Sequence, residues 1–340
     1  MLARSEPGCQ DALWKRELAA AITRPEELLH ELGLDPELLP AAYAASRQFR
    51  LLVPRGYAAL MEHGNPNDPL LKQVLPLADE LRDPPGYCTD PVGDRAARQT
   101  PGLLQKYPGR ALLLVTGACA IHCRYCFRRH YPYVSDSAVP DRASDAIAHL
   151  AADPSISEVI LSGGDPLMLD DSALRLLISK LEAIPHLKRL RLHTRLPLVL
   201  PSRVTEEFCR TLATSRLKPI VVIHANHARE LGADSRQAME PLRHAGILLL
   251  NQSVLLRGVN DCPDRLCELS EALFECGILP YYLHLLDKVS GAAHFDLDAA
   301  SAVRLLDRVR ARLSGYLVPR LVREITGRPC KDPVESLAVE

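Results

Sequence analysis

Residues 116–129 read TGACAIHCRYCFRR, and they follow directly on the apolar run RALLLVT at 110–116. The stretch holds Cys119, Cys123 and Cys126, spaced CxxxCxxC. A disulfide scaffold would want an even set of cysteines and an oxidising compartment. A closed structural zinc site takes four protein ligands, commonly from CxxC pairs. No second pair follows here, and His122 and His130 are only loosely placed. Three thiols packed after a buried strand suit a soft metal centre. A [4Fe–4S] cube held by three cysteines leaves its fourth iron open to a small molecule. The missing ligand then marks a reaction site.

Outward from this stretch the pattern repeats. Short apolar runs recur at 110–116, 157–163, 190–194, 218–224, 246–254 and 279–286. Between them lie amphipathic stretches such as DSALRLLISKLEAI and RLCELSEALFECG. Runs that are apolar throughout fit parallel strands buried on both faces. Alternating strand–helix units predict an α/β fold, a parallel barrel or a doubly wound sheet. A last strand-like piece, YLVPRLVREI, leads into the C-terminal segment. Residues 1 to about 100 carry helical patterns, DALWKRELAAAI and ELLPAAYAASRQF, broken by GNPNDPL and LRDPPGYCTDPVGD. The expected division is a helical extension over 1–100, the barrel over 101–300 and a C-terminal segment over 301–340.

Composition narrows the class. At 340 residues and 47% hydrophobic, the chain can bury a large core and carry an extension. A net charge of −1 gives no electrostatic case for nucleic acid or an anionic membrane surface. No apolar run approaches a membrane span, and the N-terminus has no secretory signal, so a cytoplasmic location is expected. Ten cysteines are too sparse for a disulfide scaffold, and Cys9, Cys88, Cys209, Cys267 and Cys276 read as ordinary scattered residues.

Polar residues gather where the strands should end: Cys119 after the first, Gly163, Gly164 and Asp165 after the second, and His193 and Arg195 after the third. His224 and Asn226 end the fourth, Asn251 and Gln252 end the fifth, and Asp287 follows the sixth. Parallel α/β architectures assemble active sites at these carboxyl ends.

CxxxCxxC after the first strand, with SGGDP after the second, resembles the radical S-adenosylmethionine superfamily. The resemblance implies a partial (β/α)6 barrel, an open iron that chelates the methionine moiety of S-adenosylmethionine, and a 5′-deoxyadenosyl radical made on reduction by an electron donor. Gly163, Gly164 and Asp165 would then lie against that cofactor. In order along the chain, QKYPGRALLLVTGACAIHCRYCFRR, LSGGDPL, HTRLPLVLPSRVT, HANH, NQSVLLRGVND and PYYLHLLD are similar to the lysine 2,3-aminomutase family. That resemblance adds pyridoxal 5′-phosphate and implies migration of the 2-amino group of L-lysine to C3.

The family resemblance also assigns residues. TGRPCKDPV puts Lys331 at the place of the pyridoxal lysine, on a short C-terminal segment. Lys106, Tyr107 and Arg110 stand where the coenzyme phosphate is met, with Lys106 replacing a family arginine. Gln252 and His224 are weaker candidates for contacts with coenzyme or adenosine. Arg128 matches the arginine that pairs with the substrate carboxylate. Asp287 and Glu324 match two aspartates that bind the distal ammonium, so Glu324 keeps the charge and adds a methylene.

Longer family members continue past this lysine into a zinc-binding cysteine cluster. This chain stops at Glu340, and Cys262 has no partner cluster. It therefore resembles the short bacterial branch whose (R)-β-lysine is passed to a ligase that modifies elongation factor P; a homo-oligomer is compatible with the family. Two other classes remain open on the residues alone: a radical enzyme without pyridoxal acting on another small substrate, and a non-catalytic iron–sulfur protein.

Overall fold

The computed structural model describes residues 7–138 and 143–334. One sheet of ten strands runs in sequence order. Its strands are β1 (Arg98–Thr100), β2 (Leu103–Tyr107), β3 (Arg110–Thr116), β4 (Glu158–Gly163), β5 (Arg189–Thr194), β6 (Lys218–Ile223), β7 (Leu248–Val254), β8 (Leu279–His284), β9 (Arg320–Arg323) and β10 (Asp332–Pro333). From β3 to β9 every neighbour is parallel. β1 and β2 add an antiparallel edge, and β10 turns back antiparallel on β9. This is the partial (β/α) barrel that the family resemblance implies, extended at both edges.

The apolar runs become strands for the expected reason. Val159, Ile160, Leu161 and Ser162 of β4 are all buried, because helices cover the outer face of the parallel sheet and its inner face lines the barrel interior. Three of the crossover helices start on side-chain caps. Asp170 accepts from Ala173 N, Thr205 from Phe208 N and Asp298 from Ser301 N, each satisfying an amide that the first helical turn leaves unpaired. Among the described residues no helix is long and apolar enough to cross a membrane.

The N-terminal helices pack into the barrel's own core. Trp14, Ile22, Leu28, Tyr57 and Leu70 join one apolar cluster with Leu113, Leu161, Leu192 and Ile223. A second cluster, with Leu283, Leu306 and Leu321, seats β9 and the helix Ala299–Arg310.

The extension also clasps the cysteine loop. Arg124, fully buried, donates to both oxygens of Glu80, and Arg129 pairs with the same carboxylate at 2.8 Å. Arg124 N donates to Gln73 O at 2.9 Å and His122 N to Leu52 O at 3.0 Å. The His122 ring stacks on Phe49, with centroids 5.0 Å apart. The CxxxCxxC loop is thus held by residues 49–80 as firmly as by the strand it leaves.

Candidate active site

The cysteine loop leaves β3 and is stitched to the end of β4. Gly164 N donates to Thr116 O at 2.7 Å, and Asp165 N to Ala118 O at 2.8 Å. A Cβ on Gly164 would stand 2.1 Å from Ala118 O, and one on Gly163, which has φ of +125°, 2.4 Å from Thr116 O. These glycines are required first by the approach of two protein backbones. The Asp165 carboxylate faces inward, accepting from Thr194 Oγ1, Arg195 N and Leu167 N. Burial pushes it up to about 6 against those donors. Asp165 therefore locks the ends of β4 and β5 together.

Cys119, Cys123 and Cys126 are all free thiols. Burial pushes the Cys119 thiol up, and the neighbouring Cys126, Asp165 and Cys123 reinforce the effect. Among the described residues no three His, Cys, Asp or Glu side chains converge on a point suited to one metal ion. Three soft donors on one loop, with backbone stitched alongside, fit a polynuclear iron–sulfur group in donor chemistry and in number.

Across the barrel lies a chain of alternating charges. Arg128 Nε donates to Asp94 Oδ2 at 2.6 Å, and its NH1 to Ser162 Oγ at 3.2 Å. Lys106 Nζ lies 2.6 Å from Asp94 Oδ1 and 2.7 Å from Glu324 Oε1. Lys331 Nζ reaches Glu324 Oε2 at 2.6 Å. Burial would raise both carboxyls, but the neighbouring cations outweigh it and hold Asp94 and Glu324 down at about 2. Asp287 faces the same group without a cation of its own. Burial, reinforced by Glu324, pushes it up to about 7. Lys331 is delivered by the β10 return, which pairs Asp332 with Arg323 of β9.

Beside this chain sit neutral imidazoles. Gln252 Nε2 lies 2.8 Å from His224 Nε2 and 3.4 Å from His193 Nδ1. Burial holds all of His193, His224 and His284 low, His224 at about 3. The positive charge of Lys331 adds to the effect on His193 and His284. Among the described residues the Nε2 atoms of His193 and His284 are buried without a hydrogen-bond partner. Buried polar atoms ordinarily have one, so their combination with Lys331 fits a polar, multi-functional coenzyme. Arg110 stands outside the ion-pair chain, its guanidinium 4.5 Å above the Tyr107 ring.

The structure thus gathers Lys106, Arg128, Glu324 and Lys331 into one network, with Asp287 in its field. Gln252 and His224 form a separate polar pair, and Arg110 touches the site through Tyr107. Sequence reasoning missed Asp94, which joins Arg128 to Lys106, and gave His284 no part. Asp94 lies in the Pro-rich segment LRDPPGYCTDPVGD, where nothing marks an acid as buried. His284 lay within PYYLHLLD, at a strand end beside Asp287, and that position was the available signal.

Residues 113–269 match the Radical SAM superfamily. The chain is 50% identical over 323 residues to L-lysine 2,3-aminomutase of Escherichia coli (strain K12), a match covering 95% of this chain and 94% of the relative. It is 46% identical to L-lysine 2,3-aminomutase of Haemophilus influenzae, covering 94% of each. To L-lysine 2,3-aminomutase of Clostridium subterminale it is 35% identical, covering 94% of this chain and 77% of the relative. With identity at this level along nearly the whole chain, the protein belongs to the L-lysine 2,3-aminomutase family of radical SAM enzymes and is an isomerase.

Proposed function

We propose that the protein moves the 2-amino group of L-lysine to C3, using a [4Fe–4S] cluster on Cys119, Cys123 and Cys126, S-adenosylmethionine, and pyridoxal 5′-phosphate on Lys331. The observation that carries this reading is the Lys331–Glu324–Lys106–Asp94–Arg128 network, which puts two amines, two anions and a guanidinium in one barrel mouth. When bound, the reduced cluster with S-adenosylmethionine supplies a hydrogen-abstracting carbon radical, and pyridoxal phosphate supplies a π-system across which an amine can migrate.

The chain's own residues bind, orient and exclude water. The backbone at Gly163 and Gly164 lines the cofactor beside the cysteine loop. Arg110, which makes no ion pair among the described residues, and Lys106 offer cations to a phosphate. Tyr107, Gln252 and His224 supply polar contacts around it. Arg128 spends two of its five N–H groups on Asp94 and Ser162, and the remainder receive the lysine carboxylate. Asp287 and Glu324 receive the distal ammonium, since a buried ammonium needs an anion. In this reading residues 1–100 clamp the cysteine loop, 101–300 hold the cofactors and 301–340 deliver Lys331.

The product we propose is (R)-β-lysine, passed to a ligase that modifies elongation factor P. Higher identity to the relatives of similar length than to the longer Clostridium protein supports that branch. The test is anaerobic reconstitution with iron, sulfide and pyridoxal phosphate, reduction by a one-electron donor, and incubation with L-lysine. Chiral chromatography should find (R)-β-lysine. Consumption of S-adenosylmethionine with no β-lysine of either hand would refute the reading.

A further inference from the structure

Arg195, at the end of β5, carries a bond that nothing in the aminomutase reading uses. Its NH1 donates to Cys123 Sγ at 2.8 Å. Its NH2 is tethered behind by Glu230 Oε2 at 2.7 Å, Gln73 Oε1 at 2.7 Å and Tyr57 OH at 3.0 Å. The guanidinium lies 5.4 Å over the Tyr57 ring and 5.8 Å over that of Tyr125. Arg195 is only 4% exposed. Among the described residues, Cys119 and Cys126 receive no side-chain hydrogen bond comparable to this one.

We propose that Arg195 is a positioning residue that sets the electron affinity of the iron–sulfur cluster through its hydrogen bond to Cys123. The inference rests on Cys123 being an iron ligand, as argued above. A hydrogen bond to a ligating sulfur draws electron density from it and favours the reduced, more negative cluster. The planar guanidinium fork makes this geometry possible, because one edge can be fixed while the other is aimed. Glu230, fully buried, balances the guanidinium charge, so what reaches the sulfur is chiefly a directed N–H. Two of the tethers, Tyr57 and Gln73, belong to the N-terminal extension. Through Arg195 the extension thereby reaches Cys123, and among the described residues no side-chain hydrogen bond of this kind reaches Cys119 or Cys126, which makes the three thiols inequivalent. The step being tuned is the entry of one electron from an external one-electron donor. No bond forms or breaks at Arg195, and it keeps its proton throughout.

The test is a redox titration of the anaerobically reconstituted protein followed by electron paramagnetic resonance. Arg195→Lys keeps a cation for Glu230 but cannot hold three tethers and still present an N–H to sulfur. The charge-balanced double variant Arg195→Gln, Glu230→Gln removes both partners of the ion pair. We expect each to retain parental iron and to show at least a tenfold lower reduced-to-oxidised ratio at a fixed potential, which for a one-electron couple is a downward shift of about 59 mV. Tyr57→Phe, which loosens one tether, should shift it in the same direction by less. Parental ratios in both Arg195 variants would overturn the proposal. Loss of iron from both would make Arg195 a strut for the loop, and would overturn it equally. Failure of the parent itself to bind iron would overturn the cluster assignment, a result distinct from either.

Discussion

Lys331 and Lys106 share one carboxylate, their ammonium nitrogens 2.6 and 2.7 Å from the two oxygens of Glu324. Two cations meeting at one anion repel each other once that anion is neutralised. Glu324→Gln should therefore cost stability, about 1–3 kcal/mol after allowance for partial exposure. The check is chemical denaturation of the cofactor-free protein. An unchanged midpoint would mean that the network contributes nothing to the fold.

Lys331 should be the point of pyridoxal attachment. Borohydride treatment of the pyridoxal-loaded protein should fix the label on the peptide carrying Lys331, read by mass spectrometry. Lys331→Ala should take no label yet still cleave S-adenosylmethionine slowly. Label on Lys218 or Lys288 would move the site elsewhere.

Asp287 supplies a pH dependence whose sign can be worked out. Its carboxyl rises from the ordinary 3.8 to about 7, chiefly through burial. In the folded, lysine-free protein it therefore holds a proton that the unfolded chain releases above about 4. This group's contribution to stability is present at low pH and is lost as pH climbs through about 7. Ammonium binding wants the anion, so lysine affinity should rise from pH 6 to pH 8. Asp287→Asn should flatten that rise and lower lysine turnover at least tenfold, from the ~2–5 kcal/mol typical of a broken buried charge pair. A Michaelis constant for lysine that is flat across this range in the parent would count against the assignment.

Much of this fold was open to reading from the sequence, and the exceptions have causes. RALLLVT became β3 with the same bounds, because a run apolar on both faces has few other homes. The antiparallel edge went unseen. β2, LLQKY, buries Leu103 and Leu104 and then turns half-exposed, so it carries neither alternation nor a full apolar run. β10 is two residues long, too short for any pattern, yet it places Lys331. Within the site, the charged residues were visible as types at strand ends. What could not be read was their pairing. Asp94 acts only through Arg128 and Lys106, and those distances exist only in three dimensions.

Asp94 should matter through the arginine it holds. Asp94→Asn keeps the shape but releases Arg128 and Lys106 from their common anion. The Michaelis constant for lysine should rise at least tenfold, with less change in turnover at saturation, as expected when carboxylate binding loses its preset orientation. Arg128→Lys should fare worse, since an ammonium cannot reproduce the bidentate fork. Parental constants in Asp94→Asn would show that Arg128 is oriented by other means.

Gly164→Ala tests the stitch between the two loops. The new methyl would press on the carbonyl of Ala118, so the cysteine loop must shift. Iron content after reconstitution should fall by more than half while helical circular dichroism is kept. Full iron loading in this variant would show that the loop yields without cost.

The clasp of residues 49–80 on the cysteine loop also has a temporal meaning. A chain grows from its N-terminus, and N-terminal units fold first as it emerges. Glu80, Gln73 and Phe49 leave the ribosome before the thiols whose loop they hold. The carboxylate Glu324 and then Lys331 leave the ribosome long after those thiols. Biosynthesis therefore presents the thiol loop together with the residues that brace it while the segment carrying Lys331 is still unmade, so the two halves of the site are completed in the order set by the direction of the chain.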